Sequence, residues 1–245
     1  MRNIKLTIEY DGSRYQGWTR LGRDESNNTI SNKISDVLKK MTEETAIELN
    51  CGCRTEVGVH AYAQIANFKT NSSMKPLDIK HYLNRYLPMD IAVTAVEEVP
   101  DRFHAQLNAS SKIYIYRMSI DDVPSVFDRK YIYHCFQIPD KQLMQQASIL
   151  LVGKHDFHNF SSAKKSKSTV REIYDIDIYG DTEEIQIMIH ANDFLHNMAR
   201  IIVGTLIDIG LGNRKKEDID AIFAGTKKAS EPCDPKGLYL QEVRY

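Results

Sequence analysis

A single carboxylate stands in a short run of residues whose types suit a catalytic loop. The run spans residues 53–61, reads CRTEVGVHA, and lies between two stretches with the pattern of β-strands. An arginine two positions before Glu56 can help to orient that carboxylate toward a substrate. Gly58 would allow a sharp turn or a close approach of the backbone to a ligand. Such a run alone also fits a surface loop with one Arg–Glu pair, so the rest of the sequence has to decide.

Five further stretches follow a recognisable order. Residues 10–18 read YDGSRYQGW, residues 103–105 read FHA, and residues 112–116 read KIYIY. Residues 191–204 read ANDFLHNMARIIVG, and residues 237–240 read GLYL. Together with the carboxylate loop, these stretches resemble the motifs of the tRNA pseudouridine synthase A family, whose catalytic loop reads GRTDAGVHA. The resemblance covers essentially the whole chain.

This resemblance implies an enzyme that isomerises uridine to pseudouridine in RNA. In the family, a loop carboxylate starts the reaction by attack on C1′ or by removal of the 2′ proton, and the base turns over and re-bonds through C5. Glu56 takes the place of that carboxylate, Arg200 of its arginine partner, and Tyr114 of the tyrosine that stacks on the uracil. Neither route needs a metal or a cofactor, and the sequence contains no metal-ligand motif that would predict one.

The substrate-binding residues implied by the same motifs are Arg54, Thr55, His60 and Leu240. Two of these have a second interpretation, because His60 also fits a residue that braces the loop and Leu240 also fits an apolar core.

Basic residues predict where RNA binds. The formal net charge is −1, so no overall positive charge indicates nucleic acid and any RNA surface must be local. Small polar residues stand among Lys164, Lys165 and Lys167, which is typical of an exposed loop. A solvated loop without a partner is the alternative, but the ordered motifs favour contacts with phosphates. The predicted RNA-binding residues are Arg14, Arg20 and Arg23 in one cluster and Lys164, Lys165, Lys167 and Arg171 in the other.

Three residues of the loop depart from the family motif: Glu56 replaces aspartate, Val57 replaces alanine, and Cys53 replaces glycine. A glutamate adds one methylene, about 1.5 Å of reach, and a misplacement near 1 Å can cost on the order of a hundredfold in rate. Three interpretations therefore stay open. One is a synthase that uses Glu56 on the anticodon stem-loop of tRNA, and another is a catalytically impaired or inactive RNA-binding paralogue of the family. An isomerase acting on another RNA or on a smaller uridine compound is a third.

Hydrophobic periodicity predicts alternating strands and helices. Apolar residues at every second position predict a strand from Ile4 to Tyr10, and helical spacing predicts a helix near residues 30–41, capped by Asn28 or Thr29. Similar patterns predict the remaining elements, which are strands at 61–69, 91–98, 112–120, 172–180, 185–190 and 238–244, and helices at 76–87, 143–151 and 194–209.

Such mixed segments favour an α+β fold. The resemblance implies two similar ferredoxin-like halves that form a mixed or antiparallel sheet with a central cleft. Residues 1–105 would carry the catalytic loop, and residues 106–245 would carry the base-stacking strand and the Arg200 helix.

Composition is that of an ordinary soluble protein, with 42% hydrophobic and 27% charged residues among 245. We expect no membrane span, because no long uncharged apolar run exists, and no signal peptide, because a strand pattern begins at once. Four scattered cysteines predict thiols rather than a disulfide framework. These features fit a cytoplasmic protein, and the resemblance implies tRNA and a second copy of the chain as partners.

Overall fold

Two compact units make up the chain. The computed structural model describes residues 1–19, 27–163 and 168–245. The first unit comprises Met1–Ser110 and Tyr239–Tyr245, and the second comprises Ser111–Leu238. The sequence-based division between residues 105 and 106 assigned the whole C-terminal end to the second half. The structure instead returns the last seven residues to the first unit.

Strands and helices of the first unit alternate as β-α-β-β-α-β. The elements are β1 (Arg2–Tyr10), α1 (Ile30–Thr42), β2 (Asn50–Cys51), β3 (His60–Thr70), α2 (Pro76–Tyr86) and β4 (Ile91–Val99). The strands follow the spatial order β4-β1-β3-β2, and all neighbours are antiparallel. This is the arrangement of a ferredoxin-like unit.

The second unit also begins with a long strand and mixes strands with helices. Its elements are β5 (Ser111–Ser119), β6 (Tyr133–His134), α3 (Lys141–Ser148), β7 (Gly153–Asp156), β8 (Val170–Gly180), β9 (Glu184–Ala191), α4 (Met198–Gly210) and α5 (Asp218–Phe223). The long strands β5, β9 and β8 are antiparallel neighbours, β7 lies outside β8, and β6 pairs with β5 in parallel. With these mixed layers, the α+β prediction is confirmed.

The last strand, β10 (Leu238–Arg244), explains where the first unit ends. Tyr239 lies opposite His60 and Leu240 lies opposite Ala61, so β10 runs parallel to the start of β3. A parallel pair joins segments far apart in sequence, which a division at one point of the chain cannot represent.

Helices α1 and α2 cover one face of the first sheet. Ile4, Leu6 and Ile8 of β1 are fully buried, whereas Lys5 and Thr7 between them are partly exposed. This alternation is the one predicted for a strand with one buried face. The helices contribute fully buried side chains to the same core, namely Ile34, Leu38, Ile79 and Leu83.

Thr29 caps α1, since its side chain accepts a hydrogen bond from the Asn32 N–H at 3.3 Å. Of the two predicted caps, Thr29 is therefore correct.

Two predicted helices differ in detail from the structure. Helix α3 buries Met144 and leaves Leu143 exposed, and it begins at Lys141, two residues before the predicted start. The long helix begins at Met198 rather than at Phe194, because Asn197 before it adopts φ +60° and interrupts helical geometry. None of the helices in the described ranges combines the length and the apolar character that a membrane crossing needs.

Candidate active site

The loop that carries Glu56 connects two paired strands of the first unit. Residues 52–59 join β2 to β3, and at the tip the Val59 N–H donates to the Glu56 carbonyl at 3.2 Å. Gly58, inside this turn, has φ +77°, a conformation that few other residues adopt. Arg54 is exposed and Glu56 partly exposed. The loop thus presents a carboxylate and a guanidinium from a turn that requires its glycine.

Gln64 of β3 holds the base of this loop. Its Oε1 accepts a hydrogen bond from the Cys53 N–H at 3.1 Å, and its Nε2 donates to the Cys53 carbonyl. Gln64 is fully buried and Cys53 nearly so. A buried amide that satisfies both polar groups of one residue fixes that residue's backbone, because breaking either bond leaves a group without water.

Tyr10 extends this network to the residue before Glu56. Its hydroxyl lies 2.7 Å from Thr55 Oγ1 and accepts from Gln64 Nε2 at 3.4 Å, which leaves the hydroxyl proton for Thr55. Burial raises the pKa of Tyr10 well above its usual value, so the hydroxyl remains a neutral donor. Thr55, predicted to bind substrate, is 3% exposed. In this structure its side chain anchors the loop through the buried hydrogen bond with Tyr10.

The segment after β1 packs against the same loop from another side. The Trp18 N–H donates to the Thr55 carbonyl at 3.0 Å. Gly17 has φ +78°, and a Cβ there would lie 2.6 Å from the Thr55 carbonyl oxygen and 3.0 Å from the Glu56 carbonyl carbon. Only glycine allows this contact. The YDGSRYQGW motif therefore positions Glu56 by packing against the backbone of Thr55 and Glu56.

His60 follows the turn and is buried, with 2% of its surface exposed. The Gly12 N–H donates to its Nδ1 at 3.1 Å, so the ring proton is assigned to Nε2. Asp11 Oδ1 lies 3.3 Å from the same nitrogen. An amide N–H can only donate, and we therefore assign no ion pair to this approach. The geometry fits a bracing residue better than a direct substrate contact.

Tyr114 lies in the second unit on β5. Its side chain is 6% exposed, it faces Ile189 of β9, and its ring meets Phe194 edge-on with centroids 4.9 Å apart. The base-stacking role of Tyr114 stays a prediction.

Arg200 sits in the first turn of α4, with its guanidinium held by two acceptors. Its Nε donates to the Cys233 carbonyl at 2.7 Å, and its Nη1 donates to Asn197 Oδ1 at 3.1 Å. One turn further on, a Cβ on Gly204 would lie 2.5 Å from the Glu231 carbonyl oxygen, so α4 approaches that segment closely at this glycine. The pairing of Arg200 with Glu56 stays a prediction.

The remaining predicted residues differ in burial and in hydrogen-bond or ion-pair partners. Leu240 is fully buried. Arg14 forms an ion pair with Asp90, its Nε donating at 2.9 Å. Arg171 donates to the Val170 carbonyl at 2.8 Å and lies 3.5 Å from a carboxylate oxygen of Asp193. Both arginines thus have carboxylate neighbours, and their RNA contacts stay predictions. Arg20, Arg23, Lys164, Lys165 and Lys167 lie outside the described residues.

Sequence reasoning missed the residues that fix the loop. Gln64 received no role, and Tyr10, Gly12 and Gly17 were quoted only as motif letters. A polar residue inside the apolar strand β3 was the one available signal for Gln64, since buried polar groups require partners. In the described parts of the chain, no group of three or more His, Cys, Asp or Glu side chains is placed to hold a metal ion.

Comparison with known proteins identifies the family of the chain. The sequence model of the family described as tRNA pseudouridine synthase matches residues 6–108 and 147–245. The chain belongs to the tRNA pseudouridine synthase family. Glu56, Gln64 and Arg200 fall inside the matched ranges, and Tyr114 lies between them.

Three relatives in this family align over their full length. The tRNA pseudouridine synthase A 2 of Bacillus anthracis is 43% identical over 248 residues, covering 100% of both chains. The tRNA pseudouridine synthase A of Bacillus sp. (strain KSM-64) is 43% identical over 247 residues, with the same coverage. The tRNA pseudouridine synthase A 2 of Clostridium perfringens (strain 13 / Type A) is 42% identical over 248 residues, again covering 100% of both chains.

Proposed function

We propose that this chain isomerises uridine to pseudouridine in tRNA, with Glu56 as the carboxylate that starts the reaction. Membership of the tRNA pseudouridine synthase family supports the reaction class. The observation that carries the role of Glu56 is the way its loop is held. Cys53 and Thr55, just before Glu56, are anchored by buried partners, while Glu56 itself remains partly exposed.

Such a loop suits catalysis because a reacting group must be held in position as well as carry the right chemistry. A side chain on a fixed backbone loses little freedom when it meets its substrate, and a well-oriented group can lower the barrier by several kcal/mol, roughly 7–11 at best. The hydrogen bonds of Gln64, Tyr10 and Trp18 restrict the loop backbone. Only the side-chain torsions of Glu56 then remain to be fixed when it meets its substrate.

The reaction itself is an isomerisation that needs no electron or co-substrate. The C1′–N1 bond breaks, the uracil turns, and a C5–C1′ bond forms. N1 gains a proton, and the proton from C5 is lost to water. The Glu56 carboxylate either bonds to C1′ as the C1′–N1 bond breaks and leaves as the C5–C1′ bond forms, or removes the 2′ proton and later returns it. We propose no resident cofactor or metal.

The proposed substrate is the anticodon stem-loop of tRNA. A target uridine must leave its stack to reach the carboxylate, at a cost of a few kcal/mol. Tyr114 would stack on the extruded uracil, a contact worth roughly 1–3 kcal/mol. Arg200, whose guanidinium two acceptors already orient, would pair with Glu56. Arg54, which is exposed and lies two residues before Glu56, would contact the RNA.

We also propose that the protein acts as a cytoplasmic homodimer. Large apolar side chains between β5 and α3 remain uncovered, including Phe127 and Phe136, which are 88% and 85% exposed. Exposed apolar residues of this size favour a partner surface. Sedimentation equilibrium at micromolar protein should give twice the mass of the chain, and a monomer that binds tRNA with full affinity would contradict this part.

An RNA-binding protein without turnover is the second candidate, and Glu56 itself favours it. The extra methylene relative to aspartate changes the reach of the carboxylate by about 1.5 Å. A loop held as firmly as this one has little freedom to adjust to that difference.

One assay separates the two candidates. Purified protein is incubated with unmodified tRNA tritiated at uridine C5, and released tritium is counted, since each turnover frees one C5 hydrogen. We expect release by the wild type, loss of release with retained tRNA binding for Glu56→Gln, and slower release for Glu56→Asp. Glu183→Gln, an exposed position in the turn between β8 and β9, is the matched control. An inert wild type with an active Glu56→Asp variant would identify the RNA-binding protein instead.

A further inference from the structure

Three aromatic rings form a continuous stack beside the candidate catalytic loop. The His60 and Tyr239 rings are 4.8 Å apart at an interplanar angle of 22°, and the Tyr239 and Tyr62 rings are 4.8 Å apart at 12°. All three residues belong to the first unit. Tyr239 therefore lies between the other two rings, and the stack has two ends.

One end of the stack is buried and fixed. His60 and Tyr239 are 2% and 5% exposed. The Gly12 N–H donates to His60 Nδ1, and Tyr239 is held by the pairing of β10 with β3. These contacts set the orientation of the rings on which Tyr62 rests.

The other end reaches solvent. Tyr62 is 39% exposed, although one face of its ring lies on Tyr239. Because one ring face is covered, the exposed surface of Tyr62 belongs to its other face and its edges. Its orientation is already set by the stack below, so a planar ligand placed on it would cost little side-chain entropy.

Strand pairing places Tyr62 on the sheet face opposite the one that α1 and α2 cover. Tyr10 lies directly opposite Ala61, and Tyr10 points toward the buried side that α1 and α2 cover. Opposed residues share a face and neighbours in a strand alternate. His60 therefore points to the other face. The pairing of β1 with β3 shifts register between Ile8 and Tyr10, but the Tyr62 ring shares that face with His60 because both rings stack on Tyr239. Two residues of strand separate them, about 7 Å, so Tyr62 stays close to the turn that begins at Glu56.

We propose that Tyr62 is a stacking platform for an unpaired nucleobase of the RNA, next to the uridine that reacts. This inference rests on the proposed function, since it assigns a contact to the same substrate. Every base has a planar face, so an exposed and pre-oriented aromatic ring binds unpaired nucleotides without sequence preference. The platform holds the strand at a fixed distance from Glu56.

Two measurements on the same RNA test the platform. The first is the affinity for unmodified tRNA of Tyr62→Leu, Tyr62→Phe and the wild type. Loss of one stacked base should raise Kd about 5- to 150-fold for Tyr62→Leu, whereas Tyr62→Phe keeps the ring and should stay within twofold. The second is photo-crosslinking of tRNA substituted with 5-iodouridine, followed by mass spectrometry. A crosslink should map to residue 62 in the wild type and disappear in Tyr62→Leu.

Tyr179 provides the matched control. It is also 39% exposed, but Asp177 and Glu184 lie near its hydroxyl and, after burial, contribute to raising its pKa. An acidic surrounding disfavours RNA, so Tyr179→Leu should leave Kd unchanged. The crosslink reports contact of the base with residue 62 directly, whether or not a variant is destabilised. A Tyr62→Leu protein that is folded and binds tRNA with normal affinity would overturn the platform.

Failure of the platform is distinct from failure of the proposed function. A wild type that binds no tRNA would overturn both. A wild type that binds tRNA and releases tritium, with Tyr62→Leu equal to it in Kd and no crosslink at residue 62, would overturn the platform alone. Equal losses in Tyr62→Phe and Tyr62→Leu would point to the hydroxyl and would also overturn stacking.

Discussion

Gln64 brackets Cys53 with both ends of its side-chain amide. The amide oxygen accepts from the Cys53 N–H at 3.1 Å, and the amide nitrogen donates to the Cys53 carbonyl. In this way a side chain of β3 supplies the hydrogen bonds that a neighbouring strand would otherwise provide. The bracket lies three residues before Glu56, so it sets where the exposed part of the loop begins.

Replacing Gln64 with leucine should impair turnover more than RNA binding. The two polar groups of Cys53 would be buried without partners, at a cost of about 1–3 kcal/mol each. The loop should relax to reach water, and Glu56 should lose its position. We expect kcat for tritium release to fall at least tenfold with little change in Kd for tRNA, and the melting temperature to fall.

Asn84 offers a matched control for Gln64. Its amide brackets Val93 in the same way, with both hydrogen bonds at 2.8 Å, but it joins α2 to β4 rather than holding the loop. Asn84→Leu should lower the melting temperature and leave kcat of the folded protein unchanged. Equal kcat losses in the two variants would show that the Gln64 effect is one of general stability.

The Tyr10 and Thr55 hydroxyls should act as one unit. They lie 2.7 Å apart in a buried site, so Tyr10→Phe leaves Thr55 without its donor and Thr55→Val leaves Tyr10 without its acceptor. A double-mutant cycle in urea should give a coupling free energy of about 0.5–3 kcal/mol. Additive losses, with no coupling in the unfolding free energy or in kcat, would show that this hydrogen bond does not hold the loop.

The sequence predicted the strands and helices well where periodicity is strong. Elements with one buried face, such as β1 and α1, repeat their apolar residues at a spacing that reports the face directly. The start of α3 was placed at Leu143 rather than at Lys141 because the polar residues Lys141 and Gln142 carry no apolar periodicity. The start of α4 was missed because the conformation of Asn197 depends on its surroundings.

The candidate site was predictable only in part. Motif order identified the residues that resemble the family's reactive groups, Glu56 and Arg200 among them. It did not identify Gln64, because its role depends on a hydrogen bond across eleven residues to a backbone. The stack of His60, Tyr239 and Tyr62 was equally hidden, since it depends on the parallel pairing of β10 with β3.

Gly17 and Gly212 separate backbone strain from contact with the loop. Their φ angles are +78° and +75°, so alanine should cost both positions a similar amount, roughly 1–2 kcal/mol. A Cβ at Gly17 would lie 2.6 Å from the Thr55 carbonyl oxygen, whereas one at Gly212 meets nothing within 4 Å. Gly17→Ala should therefore lose most tritium release and Gly212→Ala should keep it. Similar activity in the two variants would contradict a role for Gly17 in placing the loop.

Arg200→Lys tests whether a fixed guanidinium is needed in addition to a positive charge. Arg200 donates from two nitrogens, to the Cys233 carbonyl and to Asn197, and a lysine ammonium on a flexible stem cannot reproduce that fork. We expect kcat to fall on the order of a hundredfold, as for a misplacement near 1 Å, with little change in Kd for tRNA. Arg214→Lys is the control, because Arg214 also donates to a backbone carbonyl, that of Lys228, at 2.9 Å, and lies 3.6 Å from Asp208. Full turnover by Arg200→Lys would show that charge alone suffices, and equal losses in both variants would remove Arg200 from the proposed site.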